Sequence, residues 1–306
     1  VSSLFAFPGQ GAQQAGMLER LPEGATPLLE EASDALGEQV SALDSKQALQ
    51  STRAVQLCLL LAGVAWAGWL LQRSPAPGYV AGLSIGAYPA AVTAGALAFA
   101  DAVRLVALRG ELMQRAYPQG YGMTALSGLD LSSVEGLLAE VGGEVYLANL
   151  NSDNQIVIAG SDSAMAEVAA RARQRGQGVA RRLAVSVPSH CALLDGPAAE
   201  LAAAFASVEL RRPRITYLSG SSARPIFDPQ RLRDDLAGNM ARLVDWRATL
   251  RNAYERGVRL QVEMPPGSVL SGLARPVFEQ GRVVALDATR WDTVDALLRQ
   301  EVADNR

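Results

Sequence analysis

The chain has 306 residues, of which 49% are hydrophobic and 19% charged, a balance that excludes disorder and fits one large globular domain with an insertion. A formal charge of −3 without any Lys/Arg run excludes nucleic acid and anionic membrane as main partners. Cys58 and Cys191 lie far apart and the chain has a single histidine, His190, which excludes an ordinary zinc cluster, so no bound metal is expected.

Residues 3–7 read as a short apolar strand that stops at Pro8-Gly9-Gln10-Gly11, where proline and glycines force a turn. Helices are expected over 28–36 and 54–71. The second contains the most apolar stretch, which Gly63, Gly68 and two tryptophans interrupt. It reads as a core helix and, with no basic and apolar leader, points to a cytoplasmic protein. A buried strand follows at 79–83, then helices over 87–98 and 101–114, with Asp101 as N-cap. Strands alternating with helices imply a parallel sheet covered on both faces.

From Gly122 the order becomes strand 123–126, helix 132–141, strand 145–150, strand 155–159, helix 163–175 and strand 178–185, with caps expected at Ser133 and Ser161. This βαββαβ order is ferredoxin-like. A helix over 194–206 and strands at 215–219, 259–264 and 283–286 return the chain to the main sheet. The expected fold class is α/β. A large α/β-hydrolase-like domain, residues 1–121 and 190–306, carries a parallel sheet, and a small ferredoxin-like domain, 122–189, is inserted in it.

Gly82-Leu83-Ser84-Ile85-Gly86 follows the apolar run Tyr79-Val80-Ala81 and precedes an alanine-rich stretch, the setting of a nucleophile elbow. A serine nucleophile needs a base, and His190 in Val187-Pro188-Ser189-His190-Cys191 is the one histidine available. The Ile85 N–H would face an oxyanion, and the turn at Gln10 is placed to supply a second N–H. A dinucleotide loop is excluded there, because Gln14 stands where G-x-G-x-x-G needs its third glycine.

On the helix after Asp101, Arg104, Glu111 and Arg115 share one face, while Arg109 lies roughly 140° away among Leu105, Val106 and Leu112. A guanidinium there needs an anion, either a distant Asp or Glu or a substrate carboxylate held by two hydrogen bonds. A carboxylate site would reject uncharged acyl groups. Either Asp245 or a backbone carbonyl would orient the imidazole. More than a hundred residues follow His190, unlike the order of an ordinary α/β-hydrolase.

Five ordered motifs resemble the malonyl-CoA:acyl carrier protein transacylase family. They are Phe7-Pro8-Gly9-Gln10-Gly11-Ala12-Gln13, Gly82 to Gly86, Leu108-Arg109-Gly110-Glu111-Leu112-Met113-Gln114, Asn151-Ser152 with Gln155 to Gly160, and Val187 to Leu193. The resemblance implies Ser84 as acylated nucleophile, His190 as base, Arg109 as malonyl carboxylate clamp, and the Gln10 and Ile85 amides as oxyanion hole. It also matches Asp245 to the position whose backbone carbonyl orients the histidine. It implies ping-pong transfer of malonyl from malonyl-CoA to the phosphopantetheine-type thiol of an acyl carrier protein, with no tightly bound cofactor.

Leu83 and Ala87 stand where the family's usual elbow has histidine and glutamate, and Glu263-Met264-Pro265-Pro266-Gly267 also departs from its pattern. The elbow Gly82 to Tyr88 and the opening Leu4 to Pro8 look like the epsilon-subunit branch found in malonate decarboxylase. That resemblance implies a carrier subunit bearing a phosphoribosyl-dephospho-CoA group as partner. The alternatives are fatty acid or polyketide synthesis with the same chemistry, a serine hydrolase or thioesterase, and a non-catalytic scaffold. Arg171, Arg173, Arg175, Arg181 and Arg182 offer a basic rim for a carrier, or an ordinary solvated face.

Overall fold

The computed structural model describes residues 2–304. In the first part of the chain, β1 (Ser2–Phe7) leads to α1 (Thr26–Leu36), α2 (Thr52–Leu71), β2 (Tyr79–Gly82), α3 (Ala87–Thr93) and α4 (Phe99–Ala116). The inserted region runs β3 (Tyr121–Ser127), α5 (Leu131–Val141), β4 (Val145–Ser152), β5 (Gln155–Ser161), α6 (Asp162–Gln174) and β6 (Val179–Arg182). The return comprises α7 (Asp195–Ala204), β7 (Thr216–Leu218), β8 (Pro225–Ile226), α8 (Pro229–Gly238), β9 (Val244–Asp245), α9 (Trp246–Glu255), β10 (Val258–Glu263), α10 (Val269–Ala274), β11 (Arg282–Ala285) and α11 (Trp291–Ala303).

The large sheet has the order β11-β10-β1-β2-β7-β8, parallel throughout except for the edge strand β8. The second half of β1 is apolar without alternation, because helices cover both faces: Leu4 to Phe7 are all fully buried. Among the described residues one helix, α2, is long and apolar enough to cross a membrane by length and composition. Here it is core, packed on α4 and α3, and Ser51 caps it by accepting a hydrogen bond from the Ala54 N–H.

The small sheet has the order β6-β3-β5-β4-β9. The first four strands are antiparallel, with α5 and α6 packed on one face, which is the ferredoxin-like arrangement. The fifth, β9, comes from the return segment and pairs parallel with β4 through Asn149 and Leu150. The small sheet therefore takes its fifth strand from outside residues 122–189.

Several boundaries differ from the sequence expectation. Helix α3 stops at Thr93 because Gly95 takes a left-handed conformation, with Ala96 N–H bonded to Ala91 O and Gly95 N–H to Val92 O, a Schellman stop. Asp101 lies in the first turn of α4, whose cap position is Ala98. Ser161 caps α6 through the Ala164 N–H, whereas α5 is capped by Asp130, one turn before Ser133's expected role. Strand β6 is only Val179–Arg182, and α8, α9, α10 and α11 fall where the sequence suggests no element, between and after the strands it does suggest.

Candidate active site

The C-terminal ends of β1 and β2 lie side by side, Phe7 opposite Gly82, so the turn after each opens at the same edge of the sheet. Leu83 N–H donates to Phe7 O at 3.0 Å, which sets the Pro8 to Gly11 turn beside the elbow. The elbow is closed so tightly that a Cβ on Gly82 would lie 1.9 Å from the Gly86 carbonyl carbon, and one on Gly86 2.2 Å from Phe7 O. Gly86→Ala is accordingly expected to cost about 2 kcal/mol or more in a urea melt, since backbone and not a mobile side chain must give way. An unchanged midpoint would show that this contact is looser than it looks.

Ser84 itself has φ +57° and His190 has φ +65°. Left-handed backbone at a residue with a Cβ costs about 1–3 kcal/mol. Among the described residues only Ala223 shares it outside glycine. Both strained residues stand at the edge where the two turns open, as expected for positions held for chemistry.

Arg109 projects from α4 into the interior and is 0% exposed. Its Nη1 donates to Gln56 Oε1 at 2.8 Å, and its Nη2 to Asn239 Oδ1 at 2.8 Å and to Ser84 Oγ at 3.3 Å. The guanidinium also lies over the Tyr88 ring, 5.7 Å from its centre, and Nε has no partner. The distant Asp or Glu allowed by the sequence is not there: among the described residues no carboxylate forms an ion pair with Arg109, and every group that holds it is neutral. Burial lowers its pKa. A cation so placed, with a free N–H and amide supports, is a ready site for a carboxylate.

His190 is 4% exposed, and its Nδ1 lies 2.8 Å from Asn239 O. A carbonyl can only accept, so Nδ1 carries the proton and Nε2 keeps the lone pair of a base. Burial, with Arg109's charge adding to it, pushes the pKa down to about 4 against the opposing Asn239 carbonyl. The imidazole is thus neutral at pH 7. Among the described residues no hydrogen bond joins it to Ser84, whose Oγ accepts from Arg109 instead. Such contacts commonly close only once substrate is bound.

Asp245 does not orient the imidazole. Its carboxylate caps α9 through the Ala248 N–H at 3.1 Å and faces Arg247, its carbonyl accepts from Thr249, and its own N–H is spent on Gly220 O. The orienting group is the Asn239 carbonyl. Asn239 also donates from Nδ2 to Ser84 O at 3.0 Å, so one residue touches Ser84, His190 and Arg109. Sequence reasoning missed it, and also missed Gln56, although a lone amide inside the apolar run Ala54-Val55-Gln56-Leu57 is a signal once Arg109 is in question.

The Gln10 N–H meets no acceptor among the described residues, and it sits on the turn packed against Leu83. The basic rim is largely neutralised. Arg171 pairs with Glu140 and Glu167, Arg175 with Glu140 and Arg182 with Asp162.

Residues 4–302 match the acyl transferase domain. The chain belongs to this family. Within it, the chain is 37% identical over 294 residues to the malonyl CoA-acyl carrier protein transacylase of Salmonella typhimurium, covering 92% of this chain and 95% of that one. The Bacillus subtilis transacylase of the same name is 33% identical and covers 92% of each. Among solved structures, FabD from Acinetobacter baumannii superposes with a TM-score of 0.90 at 38% identity, covering 98% of both chains. A malonyl-transacylase solved with its type II polyketide acyl-carrier protein gives 0.90 at 35%, covering 98% of this chain and all of that one. A match at this score over 98% of the chain takes in both sheets.

Proposed function

We propose that the protein moves malonyl from malonyl-CoA to the thiol of an acyl carrier protein through an acyl-serine intermediate. The observation that carries this reading is Arg109, wholly buried, held by neutral groups alone, and 3.3 Å from Ser84 Oγ. A carboxylate paired with that guanidinium places a carbonyl two carbons away over the serine. The relatives named as malonyl CoA-acyl carrier protein transacylases support the same donor and acceptor.

In the first half-reaction Ser84 Oγ attacks the thioester carbonyl while His190 Nε2 takes its proton. The Gln10 and Ile85 N–H groups receive the developing oxyanion. Collapse breaks the C–S bond, and the imidazolium returns the proton to the departing CoA sulfur. In the second half, the carrier thiol gives its proton to Nε2 and attacks the acyl-serine, and Ser84 regains its hydrogen. The carbonyl of Asn239 steadies the imidazolium in both halves.

The acceptor is proposed to be the carrier subunit of a malonate decarboxylase, bearing a phosphoribosyl-dephospho-CoA arm. This finer reading is supported by the elbow, in which Leu83 and Ala87 replace the family's usual histidine and glutamate, and by the opening Leu4 to Pro8. The relatives favour a second reading, a carrier of fatty acid or polyketide synthesis with an ordinary phosphopantetheine arm.

Intact mass after brief incubation with malonyl-CoA or acetyl-CoA tests the donor: one malonyl adduct is expected, absent in Ser84→Ala, with little acetyl adduct. Equal addition of both acyl groups would sink the carboxylate argument. Offering the malonylated protein each carrier in turn then tests the acceptor, and faster discharge to the phosphopantetheine carrier would replace the decarboxylase reading with the synthetic one.

A further inference from the structure

Behind the site is a second buried polar cluster that the acyl transfer does not touch. Asp235, 6% exposed, lies one turn before Asn239 on α8. Its Oδ1 accepts from Ser219 Oγ at 2.6 Å and its Oδ2 from the Tyr217 hydroxyl at 2.8 Å, both at the end of β7. The backbone carbonyl of Asp235 accepts the Asn239 N–H. The next carbonyl, Leu236 O, accepts from the Tyr88 hydroxyl at 2.8 Å, and Tyr88 stands on α3, the helix that leaves the elbow.

The last turn of α8 is thus tied by side chains to the main sheet and to the elbow helix, and Asn239 follows directly. Asn239 meets the His190 ring and the Arg109 guanidinium at 2.8 Å each and the Ser84 carbonyl at 3.0 Å. Leu232 and Leu236 would seat α8 on the core by themselves, but apolar contact has no direction and leaves the helix free to turn about its axis. Two charge-assisted hydrogen bonds to one carboxylate fix that rotation. A buried carboxylate is a costly way to fill this space, since packing with an apolar residue serves stability as well. Burial does raise the Asp235 pKa, while the Ser219 and Tyr217 hydroxyls and the nearby Arg242 oppose the rise.

We propose that Asp235 is a positioning residue: by fixing the last turn of α8 to β7 it sets the Asn239 carbonyl and amide, and through them the His190 ring and the Arg109 guanidinium. The kinetic part of the test rests on the proposed acyl transfer; the spectroscopic part does not.

Because the chain has one histidine, protein grown with ¹⁵N-histidine shows a single imidazole. The wild type is expected to show the Nδ1–H tautomer held by Asn239 O, and Asp235→Asn to shift its ring nitrogens toward a mixture of tautomers. The same variant is expected to lose about 10²-fold in malonyl acylation rate, the scale of a misplacement near 1 Å, together with part of its preference for malonyl over acetyl. Tyr217→Phe, which removes one of the two hydroxyls, should move both readouts in the same direction by about tenfold or less in rate, and it decides the matter if Asp235→Asn does not fold. An unchanged imidazole spectrum in a folded variant overturns the proposal, as does a shifted spectrum with wild-type rate and preference. A shifted spectrum in a protein whose wild type never takes up malonyl leaves the positioning role standing and removes the proposed function instead.

Discussion

Arg109→Met is expected to abolish the preference for malonyl, lowering its acylation rate by about 10³-fold or more while acetyl addition stays level or rises. The size follows from how the site is built. A pocket made to pair a polar or charged group rejects a ligand that cannot pair by about 10⁴–10⁵-fold, far more than apolar fit provides. In this chain the guanidinium is fully desolvated and has no carboxylate of its own. A malonyl carboxylate therefore supplies what the folded protein lacks, and an acetyl methyl leaves it wanting. Methionine fills much of the same space without the charge, so the selection is removed directly, while the Gln56 and Asn239 amide oxygens and Ser84 Oγ lose the donor they shared. The measurement is the ratio of malonyl to acetyl adduct against time; a ratio that stays as in the wild type would show that selection lies elsewhere.

Removing the base has an effect of similar scale. His190→Ala is expected to slow acylation by about 10³-fold, within the range of a positioned general base. The pH profile gives the sharper check, because a base works when it has lost its proton. With the folded pKa pushed down to about 4, the activity limb of kcat/KM should stay flat from neutral pH down to about pH 5 and fall to half near pH 4, not near the ordinary 6.5. Arg109's charge contributes to that depression. A bound malonyl carboxylate neutralises it, so the limb seen in kcat should lie at higher pH than the limb in kcat/KM. Coincident limbs near 6.5 would show an imidazole in water.

The same shift is a statement about stability. Between pH 6.5 and 4 the unfolded chain takes up a proton at His190 that the folded chain refuses, so stability falls as the pH drops through that window, by about 3 kcal/mol at its lower end. His190→Ala should remove this part of the slope in pH-dependent urea melts.

What could be read from the residues alone was whatever acts locally. The elbow is legible because Gly82 and Gly86 exist for a backbone contact four residues apart. Arg109 is legible because helix phase puts it on the apolar side without any knowledge of what lies opposite. The ferredoxin-like insertion is legible from strand and helix order. The unread parts depend on distant chain. Helix α8 buries only Leu232, Asp235, Leu236 and Ala237, a period too short and too polar to stand out. For the imidazole the residues leave Asp245 or a backbone carbonyl open, and do not say which carbonyl. The fold uses a carbonyl, which every residue owns and no sequence distinguishes. Asp245 meanwhile is occupied as the cap of α9 and as the last residue of β9, the small sheet's fifth strand.

The three-point cradle around the guanidinium bears on how such an enzyme could drift toward another acyl group. The cradle's points are Gln56, Asn239 and Ser84, and the two amide oxygens accept from Arg109. Loss of the arginine alone strands two buried amide oxygens, at about 1–3 kcal/mol each. Loss of Gln56 or Asn239 first leaves a buried cation short of acceptors, and Asn239 cannot change without disturbing the serine turn it also braces. Every single step away from carboxylate recognition thus passes through a less stable protein, and the route to a neutral acyl group opens only to ancestors with stability to spare or to changes that arrive together. The choice of donor is guarded by folding as well as by chemistry.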